Sequence, residues 1–297
     1  MPEATTSPMT TNEVIENQLS GALRRLEEIH QADAMVYMGP IANGIDDMLR
    51  HAVESLPNRN KKLLFLLETG GGSIEVAERI VTVLRHHYEE VDFLVPNFAY
   101  SAGTILAMSG DSIWMDYYSV LGPIDPQVNK VGVGWVPALG YLHRYEELVQ
   151  KAKEGTITSA EISYLCERFD PAELHSFEQA REQTVSLLQE WLVQWKFKDW
   201  HITEGRKTPV TDKMKQDRAQ EIAHNLNNTK RWHSHGRGIS RRVLADELKL
   251  KIEDIDDSKN GLADAVRSYY KLLRDFLSRL NAVAVIHSRA NFSPIEV

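Results

Sequence analysis

Two short stretches of the chain combine residue types suited to acyl transfer. The first is Thr69-Gly70-Gly71-Gly72-Ser73, which follows an apolar run and precedes a helical pattern. Glycines there let the backbone turn sharply and let a ligand approach its amides. Free N–H groups at a helix start favour anionic oxygen. The second is Tyr100-Ser101-Ala102-Gly103-Thr104, at the next strand-to-helix junction. A serine that opens a helix can be an N-cap, and a glycine-rich turn can be a phosphate cradle or a plain tight turn. The first stretch has no following GK[ST] and does not spell GxGxxG, so neither nucleotide motif applies. Ser101 follows Gly71 by 30 residues, room for one helix, one strand and two turns. That spacing puts both loops at the same edge of a parallel sheet, where open α/β sheets hold their sites. Together they leave two readings open: a hydroxyl nucleophile with amide donors for an oxyanion, or an N-cap beside a tight turn.

The elements that must position them are legible as alternating patterns. Helical spacing of apolar residues covers 12–29, 45–56 and 74–88, and strands are predicted over 34–38, 62–67, 91–95 and 113–115. The unalternating run Lys62-Leu63-Leu64-Phe65-Leu66-Leu67 fits a strand buried on both faces of a parallel sheet. Residues 101–108 form a short buried helix in this reading, and 120–124 a further short strand. This is a βα repeat with right-handed crossovers, and it stops near Asp125. Helices are then predicted over 138–154, 159–168, 171–195, 212–226 and 240–248, with a late strand at 283–286. The organisation reads as a polar, disordered lead-in over 1–11, an α/β core over 12–137, and a mostly helical continuation over 138–297 that completes the core and provides oligomer contacts.

Composition bounds the remaining classes. The chain has 297 residues, 42% hydrophobic and 26% charged, enough to build a packed core. Its formal net charge of -8 argues against a general nucleic-acid binder, which needs a basic excess. The longest apolar runs, 63–67 and 282–286, are far shorter than the roughly 18 to 20 residues that span a bilayer. No basic segment followed by an apolar stretch opens the chain, so no secretory signal is expected. The single cysteine, Cys166, rules out an internal disulfide and fits a reducing cytoplasm. His86, His87, His233 and His235 come with no acidic partner pattern such as HExxH, so neither metal nor cofactor is expected. Trp191, Trp195, Phe197 and Trp200 recur at helical spacing and read as core or as a subunit contact, with Lys196 and Lys198 beside them.

Thr69–Ser73, followed by the run from Tyr100 through Leu121-Gly122-Pro123-Ile124-Asp125-Pro126-Gln127, closely resembles the serine peptidases of the Clp/crotonase fold. The nearest group is the signal-peptide-peptidase-A-like set, in particular the serine dehydrogenase proteinase family. The resemblance covers 36–128. A second part, Trp232-His233-Ser234-His235-Gly236-Arg237-Gly238-Ile239 and the residues to Leu250, is similar to the family's late turn-helix-strand unit. The resemblance implies an α/β fold, a Clp/crotonase-like ββα superhelix core with a largely helical C-terminal extension. It implies Ser101 as nucleophile, with an oxyanion held by the amides of Gly71 or Gly72 and of Ala102. It also implies a peptide or protein substrate, a homo-oligomer, and an adaptor or ATPase as a possible partner.

The base stays open at this point. Clp peptidases place a histidine about two dozen residues after the serine, where this chain has Leu121–Asp125 and no histidine. Signal-peptide-peptidase relatives use a lysine forty to fifty residues on. In that region His143, Lys151 and Lys153 follow Ser101 by 42, 50 and 52 residues. His235 is a further route if the fold returns it to the site, and Asp125 could orient a base. Two other functions compete with the peptidase: an acyl-CoA enzyme of the same fold, which uses paired amides on a thioester enolate, and a non-catalytic scaffold.

Overall fold

The structure, a computed structural model, describes residues 9–130, 134–258 and 260–296. Residues 1–8 of the expected lead-in lie outside the described residues. The Thr10 side chain accepts the Glu13 N–H while Glu13 reaches back to the Thr10 N–H. That capping box starts α1 (Thr11–His30).

The βα alternation then runs as the spacing predicts. The order is β1 (Asp33–Met38), α2 (Ile45–Glu54), β2 (Lys62–Glu68), α3 (Ile74–His87), β3 (Glu90–Val95), β4 (Phe98–Ala99), α4 (Ala102–Met108), β5 (Ser112–Met115) and β6 (Val120–Leu121). Strands β1, β2, β3 and β5 pair in parallel. Their side chains alternate between two cores. Met35, Tyr37, Phe65 and Phe93 face the side covered by α2, α3 and α4. Ala34, Val36, Leu64, Leu66 and Leu94 face the side covered by α1 and a late helix. Burial on both faces is why these strands read as continuous apolar runs.

The second half contains β7 (Gln127–Lys130), β8 (Gly134–Pro137), α5 (Ala138–Lys153), α6 (Ser159–Arg168), α7 (Pro171–Trp191), a π turn (Leu192–Lys196), α8 (Asp212–Leu226) and α9 (Thr229–Trp232). It ends with β9 (Ile239–Ser240), α10 (Arg241–Asp246), β10 (Glu253–Asp254), α11 (Leu262–Leu280), β11 (Ala282–Ser288) and β12 (Phe292–Glu296). Three features depart from the reading above. The helix expected over 171–195 loses α geometry after Trp191. α11 was missed, although Leu262, Val266, Tyr269, Leu273 and Phe276 form its buried stripe. The sheet is not all parallel: β11 pairs antiparallel with β1, giving the order β10-β5-β3-β2-β1-β11-β12. Strands β10, β11 and β12 and helix α11, all after residue 137, join the sheet and its cores.

Beneath α11, His287 has no exposed surface and its Nδ1 lies 2.7 Å from the Tyr269 hydroxyl. Burial pulls its pKa down to about 4. Unfolded chains bind this proton near pH 6.5, so between about 6.5 and 4 the unfolded state holds more protons. Stability is therefore lost as pH falls through that window. Going from pH 7 to 4.5 should cost about 2 to 3 kcal/mol through this group. Urea unfolding of the wild type and of His287→Gln at both pH values checks this: the variant should lose that much less.

Candidate active site

Both motif loops sit where the parallel strands end. Thr69–Ser73 joins β2 to α3, and Tyr100–Ser101 joins β4 to α4. Backbone hydrogen bonds lace the two together: the Thr69 N–H donates to the Phe98 carbonyl at 3.1 Å and the Tyr100 N–H to the Thr69 carbonyl at 2.9 Å. The loops then approach so closely that a Cβ on Gly71 would sit 2.7 Å from Ser101 Cβ, and one on Gly103 would sit 2.2 Å from Thr69 Cγ2. This close approach is what the small residues around Ser101 are for.

Ser101 adopts φ 54° and ψ -122°, outside the regions a serine favours. Such a conformation costs of order 1 to 3 kcal/mol and persists only where surrounding structure imposes it. Its side chain does not cap α4. The N-cap reading therefore fails at this residue, and a strained strand-to-helix turn instead presents the hydroxyl to a cleft of about 1060 Å³.

The amides of the two loops divide. The Gly71 N–H donates to Thr69 Oγ1 at 3.0 Å. At Gly72 the backbone forms a parallel bridge to Ile41, in which the Ile41 N–H donates to the Gly71 carbonyl at 2.9 Å and the Ser73 N–H to the Ile41 carbonyl at 2.8 Å. That bridge turns the Gly72 N–H to the other side. Ala102 is the first residue of α4, where N–H groups have no partner within the helix. Gly72 and Ala102, which both line the cleft, thus keep amides that no described residue engages, whereas Gly71 does not.

The three base candidates nearest in sequence do not line this cleft. His143 is on the exposed part of α5, 3.7 Å from Glu146. Lys151 pairs with Glu161 at 2.7 Å, which satisfies its ammonium at the far end of the same helix. Lys153 is exposed on the last turn of α5. α5 instead buries Leu139 and Leu142 against Leu174 and Phe177 of α7.

His235 does line the cleft. Strand β9 pairs antiparallel with β6, and the Ile124 N–H donates to the Leu226 carbonyl at 3.1 Å. These contacts fold the late turn back over residues 120–125. His235 Nδ1 then lies 2.9 Å from Oδ1 of Asp125, a carboxylate with only 2% exposure. An ionised carboxylate only accepts, so His235 Nδ1–H is the donor and Nε2 is left for the cleft. The second oxygen, Asp125 Oδ2, accepts from Gln127 Nε2 at 2.8 Å. Sequence reasoning did not single out Gln127 as a functional residue, since its role depends on a buried carboxylate that needs a second donor. The far side of the cleft is α7, through Ala180, Gln183 and Thr184. Elsewhere, the His86 and His87 rings meet edge to face, centroids 4.8 Å apart, at the end of α3, and Cys166 is exposed on α6. No helix among the described residues is long and apolar enough to cross a membrane.

The chain is similar to several known proteins. Two uncharacterized proteins of Methanocaldococcus jannaschii are similar to the chain, one 30% identical over 146 residues and the other 32% over 142. The matches cover 47% and 48% of this chain, and 48% and 47% of the relatives. The chain thus spans about half the length of the curated relatives it matches. Among solved structures, a mutant of 1510-N, a membrane-bound stomatin-specific protease, in complex with a substrate peptide is similar at a TM-score of 0.44 and 13% identity, covering 74% of this chain and 73% of that one. A second mutant of the same protease is similar at 0.31 and 18% identity, over 48% and 74% of the two chains. The profile of the ClpP-like SDH-type serine proteinases matches residues 16–199, more than half of the chain. The fold is accordingly of the Clp/crotonase type, and the chain belongs to the family of ClpP-like SDH-type serine proteinases.

Proposed function

We propose that the protein is a serine peptidase whose catalytic triad is Ser101, His235 and Asp125. The observation that carries this reading is the His235–Asp125 pair facing the cleft that Ser101 lines. Serine is a poor nucleophile until a base accepts its proton. Here His235 Nε2 takes the proton from Ser101 Oγ as the oxygen attacks the peptide carbonyl carbon. Asp125 fixes the imidazole tautomer and stabilises the cation that forms. The carbonyl oxygen becomes an oxyanion and accepts from the N–H groups of Gly72 and Ala102. Collapse breaks the C–N bond, with His235 returning the proton to the leaving amine. Water then attacks the acyl-enzyme by the same route, releasing the acid and restoring the serine.

The oxyanion site would equally hold a thioester enolate. An imidazole oriented by a buried carboxylate beside a strained serine favours hydrolysis over that acyl-CoA reading. Reaction with a fluorophosphonate probe, followed by peptide mapping, tests the proposal. One adduct on Ser101 is expected; an adduct elsewhere, or none in a folded chain, overturns it.

Gln127 acts on the same reading as a positioning residue. Gln127→Leu leaves Asp125 Oδ2 without its donor and should lower kcat about tenfold, about the value of one hydrogen bond to a charged group. KM should stay within about twofold, and Gln127→Glu should not restore the rate, since it sets a second carboxylate against Asp125. Steady-state kinetics on a reporter peptide checks both.

A peptide or protein substrate and a homo-oligomer in the cytoplasm, served by an adaptor or ATPase, belong to the same proposal. The oligomer is supported by α6, which buries no side chain and exposes Ile162 and Tyr164. Sedimentation velocity of the full chain measures it.

A further inference from the structure

A second cavity, of about 670 Å³, lies at the opposite edge of the sheet from Ser101. Its floor is the connection from α4 into β5, at Asp111 and Ser112. Its wall is the π turn Leu192–Lys196, closed by the Phe197 N–H donating to the Leu192 carbonyl at 2.8 Å. Such turns are rare and occur most often at functional sites. This one places Trp195, Lys196, Phe197 and Trp200 on the cavity. Trp191, Trp195, Phe197 and Trp200 all belong to or pack against the main core, as the sequence reading has it, and Trp195, Phe197 and Trp200 also line this cavity.

Lys196 is a cavity-lining cation with no ion-pair partner among the described residues. Its Nζ makes one long contact, 3.5 Å, to the Asp111 carbonyl, and no carboxylate among the described residues pairs with it. The neighbouring charges are already engaged. Asp111 pairs with Arg85 at 2.7 Å and with Lys198 at 2.6 Å, and Glu253 pairs with Lys251 at 2.6 Å. Asp199 and Glu204 stand exposed at the rim. The residue keeps some surface, as a cavity-lining residue must, but its ammonium lies deep among other atoms, and burial lowers its pKa to about 8. An enclosed cation without a counter-ion is unfavourable. Here an open space of ligand size adjoins it.

We propose that this cavity binds a small planar aromatic monocarboxylate, its carboxylate on Lys196 Nζ and its ring against Trp195 and Trp200. Trp200 supplies a flat apolar face, and Trp195 a second one on the side of its ring away from the Arg85 guanidinium, which lies 4.3 Å from the ring centre. One unpaired ammonium matches one negative charge; the other lining charges are Arg218, Lys249 and Lys251 against Asp111, Asp199, Glu204 and Glu253. The site is separate from the peptidase cleft and does not depend on that activity.

Isothermal titration of the full chain with 1-naphthoate, and with its uncharged counterpart 1-naphthamide, tests the proposal. The acid should bind at one site at least tenfold more tightly than the amide. At pH 8 its binding should take up protons, read as a heat that varies with the buffer, because a carboxylate favours the charged lysine. Lys196→Gln should remove the difference between the two compounds, and Ser101→Ala should leave it intact. Lys196→Gln removes an enclosed charge and should melt no lower than the wild type. Equal affinities in the wild type, no binding of the acid at millimolar concentration, or a difference that survives Lys196→Gln each overturns the proposal.

Discussion

His235→Ala is expected to slow fluorophosphonate labelling of Ser101 by a factor of about 10² to 10⁴, the usual contribution of general acid–base catalysis. The hydroxyl, the oxyanion amides and the cleft all remain, so the loss reports the proton acceptor alone. His143→Ala, Lys151→Ala and Lys153→Ala should label within about twofold of the wild type, because none of these residues lines the cleft. Asp125→Asn should resemble His235→Ala, since an amide can present its own N–H to Nδ1 and reverse the imidazole tautomer, as the known triads show. Second-order labelling rates across this set decide the matter. A lysine variant that loses labelling while His235→Ala keeps it would return the base to α5 and sink the triad. Circular dichroism of each variant confirms that the comparison is made among folded chains.

The second large effect is expected at Gly72. A Cβ there would sit 2.1 Å from the Ile41 carbonyl oxygen, a rigid backbone atom, and φ is +147°. Gly72→Ala must therefore break the bridge to Ile41, and with it the orientation of the Gly72 N–H. Loss of one oxyanion donor lowers kcat about 10²- to 10³-fold. Gly70→Ala is the internal control, because nothing lies within 4 Å of its added Cβ. It should keep kcat within about threefold. Burst kinetics with an activated ester separates acylation from turnover, and acylation should carry the loss. Gly72→Ala acylating within tenfold of the wild type would remove that amide from the oxyanion site.

Much of this site is legible in the residues themselves, and the reason is locality. Thr69–Ser73 and Tyr100–Thr104 each lie at one strand-helix junction, so the types and the 30-residue interval between Gly71 and Ser101 already place them on one sheet edge. The apolar runs at Leu63 and Val91 are strong because both faces of the strand are buried. The proposed base is legible in the sequence only as one route among several. His235 lies 110 residues from its partner Asp125, and the β6–β9 pairing and the Ile124–Leu226 hydrogen bond bring them together. Counting residues from Ser101 favoured α5, whose lysines turn to solvent and to Glu161. The Gly71 amide also looked as available as that of Gly72 until Thr69 Oγ1 was seen to engage it. α11 was overlooked although its stripe is regular, because the alternation of strands and helices had already stopped upstream.

The antiparallel strand β11 gives the order of the sheet a consequence in time. During synthesis β1 emerges early, yet its outer neighbour, residues 282–288, emerges some 250 residues later. Until then one edge of β1 has unpaired amides and carbonyls, and the core beneath α11 is open, so the sheet cannot close cooperatively on the growing chain. Asp125 and His235 likewise meet only after residue 235 has left the ribosome. On the proposed triad, the growing chain holds Ser101 about 130 residues before His235, so the proposed nucleophile is made long before its proposed base.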